Sequence, residues 1–334
     1  MAGQGASLLG YAPETSPSNR DYPGCDDRIS QLAAEMWNGM DGVSVTERRY
    51  GKGCIFCGIG IQEALSRLGV GPDLIIPAIP QEILFTHRVG DGFEFYFLSN
   101  QSENAVSGTF GFDVADRQPE LWNAETGEIR DLPLFEQRAG RTYVPLEFGP
   151  ADSWFIVFRK RVVVSNSGSD TNFPAFRKLQ EINCNWNVTF HPVYDAAREM
   201  TFGELTDWTQ NDDPYIRHFS GTATYKTNFE YRAGTEKNVW LDLGTVHALA
   251  DVTLNGQPFR TLWRPPYRVN ISEVLKEGYN TIEVVVTNCW LNRLIGDLQF
   301  GARKYTWAPY VDWNAETPLL PSGLIGPVTL LTGE

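Results

Sequence analysis

VWLDLGTVHALADVTLNGQ, residues 239–257, decides the fold of the second half of the chain. Val239–Leu243 and Ala250–Leu254 are short runs rich in β-branched and apolar residues, the makeup of strands. Asn255-Gly256 follows the second run directly. A type I′ turn needs positive φ at both central residues, and Asn and Gly reach it with least strain, so this dipeptide is a strong hairpin signal. Downstream, Tyr279–Asn288 is another long β run. Many strands separated by Gly and Pro turns, with almost no helical periodicity, predict a jelly roll or antiparallel sandwich over residues 180–334.

Working outward, residues 79–165 are β-rich as well. Phe93, Phe95 and Phe97 alternate with Glu94 and Tyr96, the period of a half-buried strand. Ser107–Val114 and Thr142–Leu146 read similarly, and Glu125-Thr126-Gly127-Glu128 is a turn between two β runs. Trp154–Val164 is a long apolar strand interrupted by Arg159-Lys160-Arg161. These features predict a small antiparallel sandwich. The polar, Gly/Ser-rich stretch 164–171 reads as a protease-sensitive linker. Residues 1–78 differ: Ile29, Leu32, Ala33, Met36 and Trp37 recur at helical spacing behind a cap-like Asp26-Asp27. A strand at Cys54–Cys57 and a short helix with Ile61, Ala64, Leu65 and Leu68 on one face, ending at Gly69, complete an α/β fragment. One or two strands are too few for a doubly wound sheet, so the fragment reads as the tail of a larger domain. The expected fold class is thus mainly β, with an N-terminal α/β remnant.

Composition excludes several classes. With 28 basic against 41 acidic residues, the net charge is −13, which argues against nucleic acid or an anionic membrane as partner. No stretch reaches the ~18 apolar residues of a membrane span. Residues 1–10 lack the basic-then-apolar pattern of a signal peptide, which leaves a cytoplasmic protein or part of a longer product as readings. Cys25, Cys54, Cys57, Cys184 and Cys289 are odd in number and show no framework, so reduced thiols are expected. The Cys54/Cys57 pair sits in an apolar strand with no second pair nearby, and is read as packing. His87, His191, His218 and His247 are not at metal-ligand spacing, and no P-loop or G-x-S-x-G elbow is present. Ten Trp fit either a ring-stacking sugar binder or a β-rich core.

Chemistry-bearing side chains crowd between Leu254 and Asp297, at positions that read as loops. The candidate ligand-binding set is Trp263, Arg264, Tyr267, Asn292, Arg293 and Asp297. Rings can stack on a pyranose, Arg can donate twice to vicinal hydroxyls, and Asp can accept from two. The competing reading places the tryptophans in the core and makes Arg293–Asp297 an internal clamp. Paired carboxylates at ~5–9.5 Å would suffice for glycoside cleavage. Glu204, Asp207, Asp212, Asp213, Asp297, Asp312 and Glu316 stand in loop-like, aromatic-rich surroundings, but sequence alone does not pair them.

FSGTATY (219–225), VWLDLGTV (239–246), LNG (254–256), LWRPPYRVNI (262–271), TNCWLNRLIGD (287–297) and LLPSGLIGPVTL (319–330) resemble the galactose-binding-like jelly roll of glycoside hydrolase family 2-type enzymes. They are most similar to the version at the C-terminus of family 106 α-L-rhamnosidases. RRYGKGCIF (48–56), THRVGDGFEFYFLSNQ (86–101) and ELWNAETGEI (120–129) resemble the segments preceding that jelly roll. The resemblance implies a carbohydrate-active protein that binds plant-type or bacterial glycans. It places the family's acid and base carboxylates, and a bound calcium, in an N-terminal (β/α)8 barrel of ~250 residues. This chain begins near where that barrel would finish, so the expected partner is a barrel outside it, and no catalytic residue is carried over. The resemblance implies no organic cofactor and leaves a structural calcium open. A self-standing glycoside hydrolase without the barrel, and a structural accessory module without ligand, are the alternatives. In the resemblance, the 292–297 segment is expected to be a loop at the rim of the sugar pocket.

Overall fold

A computed structural model of the chain describes residues 2–77, 82–162, 171–193, 195–236, 238–309 and 312–333. Of the expected linker at 164–171, only Thr171 falls among these, so the expectation lies outside the described residues. The chain separates into two compact units, residues 1–75 and 76–334.

The first unit is α/β. Helix α1 spans Gly24–Met36 and helix α2 spans Ile61–Arg67. The helix starts earlier than expected: Asp26 and Asp27 lie in the first turn of α1, not at its cap, where their charge still favours the positive end of the helix dipole. The strand Gly53–Phe56 pairs antiparallel with Glu47–Tyr50 and parallel with Leu8–Leu9. Ile55, Phe56 and Cys57 are buried and all five cysteines are free thiols. Gly58 has φ 75°, and a Cβ there would lie 1.7 Å from the Gly42 carbonyl oxygen, so only glycine fits.

The second unit holds two antiparallel sandwiches. In the first, Ile83–Val89, Glu94–Asn100, Ser153–Arg161, Arg117–Trp122 and Ile129–Asp131 form one sheet in that order. Val106–Phe112 pairs with Arg141–Phe148, and that strand with Glu136–Arg138, in the facing sheet. Tyr96, Phe112 and Phe158 lock the two together, with Tyr96 and Phe112 ring centroids 4.9 Å apart, edge to face. Alternation along 93–98 therefore has a definite phase. Tyr96 and Leu98 point inward, whereas Phe95 and Phe97 lie on the outer face against Phe155. The basic run does not end its strand: Ser153–Arg161 continues through it with a register shift between Phe158 and Lys160. Its cations serve the fully buried Glu120. Arg159 Nε donates to Glu120 Oε2 at 2.6 Å and Lys160 Nζ reaches Oε1. Burial alone would raise the Glu120 pKa, but the hydrogen bonds and charges of these two cations outweigh it and hold the carboxyl below its usual range.

The C-terminal sandwich is a galactose-binding-like jelly roll. Six antiparallel strands run in the order Arg198–Phe202, Trp186–His191, Thr222–Tyr231, Gly278–Thr287, Leu249–Leu254 and Gln257–Pro258. Four more form the facing sheet: Phe176–Glu181, Thr329–Gly333, Val239–Asp242 and Arg268–Asn270. Inward residues such as Trp186, Tyr225, Leu241, Val284 and Leu330 form one continuous core. Along Thr222–Tyr231 every second residue is buried, as a strand with one face on a core requires. The hairpin forms where expected, with φ of 52° at Asn255 and 83° at Gly256. Asn255 is also fixed from its side chain, whose Nδ2 donates to the Val274 carbonyl and to Asn280 Oδ1.

Candidate functional site

The 287–297 segment is built differently from the loop expected of it. Leu291–Gly296 is a short helix, α4, and the i,i+4 pair Arg293–Asp297, with Asp297 at the C-cap, bonds along one of its faces. Helix α3 spans Pro214–Arg217. Arg293 Nε donates to Asp297 Oδ1 at 2.9 Å, and both side chains are almost fully buried. Asp297 Oδ2 accepts three more hydrogen bonds, from Tyr305 N, Thr306 N and Thr306 Oγ1, at 2.9, 2.7 and 2.6 Å. Burial would raise the Asp297 pKa, yet the bonds from Thr306 and Tyr305 and the Arg293 charge hold it below the usual carboxylate range. Gly296 must be small: a Cβ there would lie 2.5 Å from an Arg293 guanidinium nitrogen and 2.6 Å from His218 Cβ. Burial, the largest influence, and the nearby Arg293 and Arg217 charges lower the His218 pKa.

Asn292 works beside this clamp. Its Nδ2 donates to the Leu320 carbonyl and to Ser322 Oγ, and its Oδ1 accepts from Leu320 N. Asn288 ties Phe219, Gly221 and Ser322 to the same place. These amides and Asp297 fasten both ends of a long connection, residues 298–321, in which the described residues form no helix or strand. Connections of more than ~12–15 residues without their own secondary structure are uncommon, and are usually either functional loops or linkers. This one exposes large apolar side chains: Trp307 is 83% exposed and Phe300 fully so. Trp290, at the N-cap of α4, and Leu320 are each nearly half exposed. The sequence reading passed over Phe300 and Trp307. The signal available was the length of the aperiodic stretch.

The other three candidates lie elsewhere. Trp263 is 56% exposed. Arg264 is a staple between the two sandwiches, with one guanidinium nitrogen 2.9 Å from Glu125 Oε2 and 2.8 Å from Asp152 Oδ1. Arg260 pairs with Glu125 beside it. Tyr267 is buried, and its hydroxyl donates to the Ala248 carbonyl at 2.9 Å. The structure thus splits the six into Trp263, Arg264 and Tyr267 on one loop and Asn292, Arg293 and Asp297 on α4, and no bond joins the groups. Of the six, Trp263 alone presents its ring to solvent; each of the other five has at least one side-chain hydrogen bond to protein.

Several carboxylates have structural roles. Asp207 accepts from Thr209 N and Ser322 N, both at 2.9 Å, and Asp213 caps α3 through Tyr215 N. Asp212 is fully exposed. Among the described residues no group of three or more His, Cys, Asp or Glu is placed to hold a metal ion, and no helix is long and apolar enough to cross a membrane.

Residues 1–137 match the alpha-L-rhamnosidase family, glycoside hydrolase family 106, and residues 182–317 match the glycosyl hydrolase 2 galactose-binding domain-like family. A solved rhamnosidase from Novosphingobium sp. PP1Y is 36% identical and superposes with a TM-score of 0.88 over 99% of this chain and 31% of its own. A curated Formosa agariphila protein named "Putative beta-glucuronidase" is 35% identical over 43% of this chain and 15% of its own length. The chain therefore spans under a third of either relative. It resembles a rhamnosidase-like glycoside hydrolase region that carries a galactose-binding-like domain.

Proposed function

We propose that this chain is the carbohydrate-handling, non-barrel part of an α-L-rhamnosidase-type glycoside hydrolase, acting beside a catalytic (β/α)8 barrel. One observation carries the structural side of this reading: the 298–321 connection, clamped at a buried ion pair, holds Trp307 and Phe300 out in solvent. Buried polar side chains that fix a loop, and exposed rings on it, are the division of labour of a pre-organised binding rim. In this reading Trp290, Trp307 and Trp263 offer ring faces to sugar. Asn292, Arg293 and Asp297 position the rim, while Arg264 and Tyr267 hold the neighbouring loop. Residues 1–78, 79–165 and 180–334 would then be the α/β remnant, the connecting sandwich and the sugar-facing jelly roll.

Hydrolysis of 4-nitrophenyl α-L-rhamnopyranoside tests the proposal. The 334-residue chain alone is expected to leave it intact, and the chain translated behind a barrel is expected to cleave it. In the longer enzyme Trp307→Ala should raise KM more than it lowers kcat. Turnover by the chain alone, lost on substitution of one of its own carboxylates, would establish the self-standing hydrolase instead. An unchanged KM would overturn the rim.

A further inference from the structure

A second cleft of the jelly roll, away from α4, has the chemistry of a sugar site. It has a volume of about 600 Å³ and opens between the 181–185 segment, the Gly203–Leu205 turn and the stretch from Ile325, at the end of the strand Gly323–Gly326, to Val328. Its frame is fixed. Ile182 N donates to the Val328 carbonyl at 2.9 Å, and Thr227 Oγ1 donates to the Asn185 carbonyl at 2.8 Å. Trp186, Ile182 and Val328 beneath it belong to the buried core. Three exposed polar side chains stand in the walls: Asn183, Asn185 and Glu204. Neither the Asn185 amide nor the Glu204 carboxylate has a hydrogen-bonding or ionic partner among the described residues. Leu205, Ile325 and Pro327 add an apolar surface.

We infer that this cleft binds a neutral pyranoside, a reading that rests on the carbohydrate function proposed above and supplies a site for it within this chain. A sugar ring presents hydroxyls that both donate and accept, and one face of C–H groups. Glu204 accepts from two hydroxyls, the amide of Asn185 both donates and accepts, Asn183, whose amide also donates to Glu181, has a second N–H to give, and the apolar wall meets the C–H face. The lining contains no Lys or Arg, and its other carboxylate, Glu181, is already paired with Lys178. A uronate would therefore bring its carboxylate to Glu204 with no cation to offset it. The cleft on the outer face of the first sandwich lacks this chemistry. At about 520 Å³ it is walled mainly by Phe93, Phe95, Trp122 and Phe155, and its one cation, Arg159, is held by Glu120.

Calorimetric titration of the 334-residue chain with methyl α-L-rhamnopyranoside, methyl β-D-galactopyranoside and sodium D-glucuronate tests the inference. At least one neutral glycoside should bind, and more tightly than glucuronate. Glu204→Gln and Asn185→Ala should each weaken it about tenfold, the loss of one sugar hydrogen bond, with the melting temperature unchanged. Both residues are exposed, so neither variant threatens folding. No binding by any of the three, glucuronate binding as tightly, or full affinity in both variants would each overturn the site. The readout needs no hydrolysis, so failure of the barrel-dependent assay and failure of this titration are separate results.

Discussion

Replacing Asp297 by Asn leaves the shape of the clamp and removes its charge. Asp297 Oδ1 receives Arg293 Nε, and Oδ2 receives Tyr305 and Thr306. Asn offers one oxygen where Asp offers two. If that oxygen keeps Tyr305 and Thr306, its amide hydrogens face the Arg293 N–H groups, donor against donor. The guanidinium, with 7% side-chain exposure, is then a buried cation without its counter-charge. Removing one partner of a buried pair costs about 3–5 kcal/mol. For a unit of this size each kcal/mol lowers Tm by about 2–4 °C, so a fall of roughly 6–20 °C is expected. Near-UV circular dichroism during a thermal melt reads it, because Trp186 and Trp208 lie in the jelly-roll core. Asp297→Asn with Arg293→Met should recover most of the loss, since the Asn oxygen still serves Tyr305 and Thr306 and no bare cation remains. Asp212→Asn, at a fully exposed carboxylate, is the control and should stay within about 0.5 kcal/mol of the parent. A Tm change at Asp297→Asn no larger than the control's would refute the clamp.

Three further outcomes follow from the same geometry. The folded-state pKa of Asp297 is depressed, so its contribution is complete above the unfolded value of about 4 and is lost as pH falls through the folded pKa. The stability gap between the parent and Asp297→Asn should therefore shrink from pH 6 towards pH 2, and a constant gap in denaturant titrations would contradict the assignment. Tyr267→Phe removes a hydrogen bond to the Ala248 carbonyl and should lower stability by about 1 kcal/mol, while Trp263→Ala, at an exposed ring, should cost less than that in the same urea melts. Arg264→Ala leaves Asp152 without its cation and Glu125 with Arg260 alone, and should loosen the two sandwiches from each other, seen as faster limited proteolysis of the chain. Unaltered cleavage rates would remove Arg264 from that role.

Local rules read from the chain reached as far as its turns, its strand periods and its motifs. Asn255-Gly256 was legible because Asn and Gly are the residues that reach positive φ at two successive positions with least strain. The motifs around 219–225 and 239–246 likewise signalled a galactose-binding-like jelly roll, with which the family match at 182–317 agrees. Packing decided the rest. In GFEFYFLSN, residues 92–100, both faces of the strand are apolar, so alternation alone carries no phase, and the facing Phe112 and Phe158 put Tyr96 inside and Phe95 outside. The i, i+4 spacing of Arg293 and Asp297 was present in sequence, yet six residues ending in Ile-Gly-Asp read as a turn until Ser220, Tyr305 and Thr306 closed around them. Arg264 had every property of a sugar ligand except a free guanidinium. Its partners, Glu125 and Asp152, lie more than a hundred residues away along the chain, and only the folded second unit brings that charge to theirs.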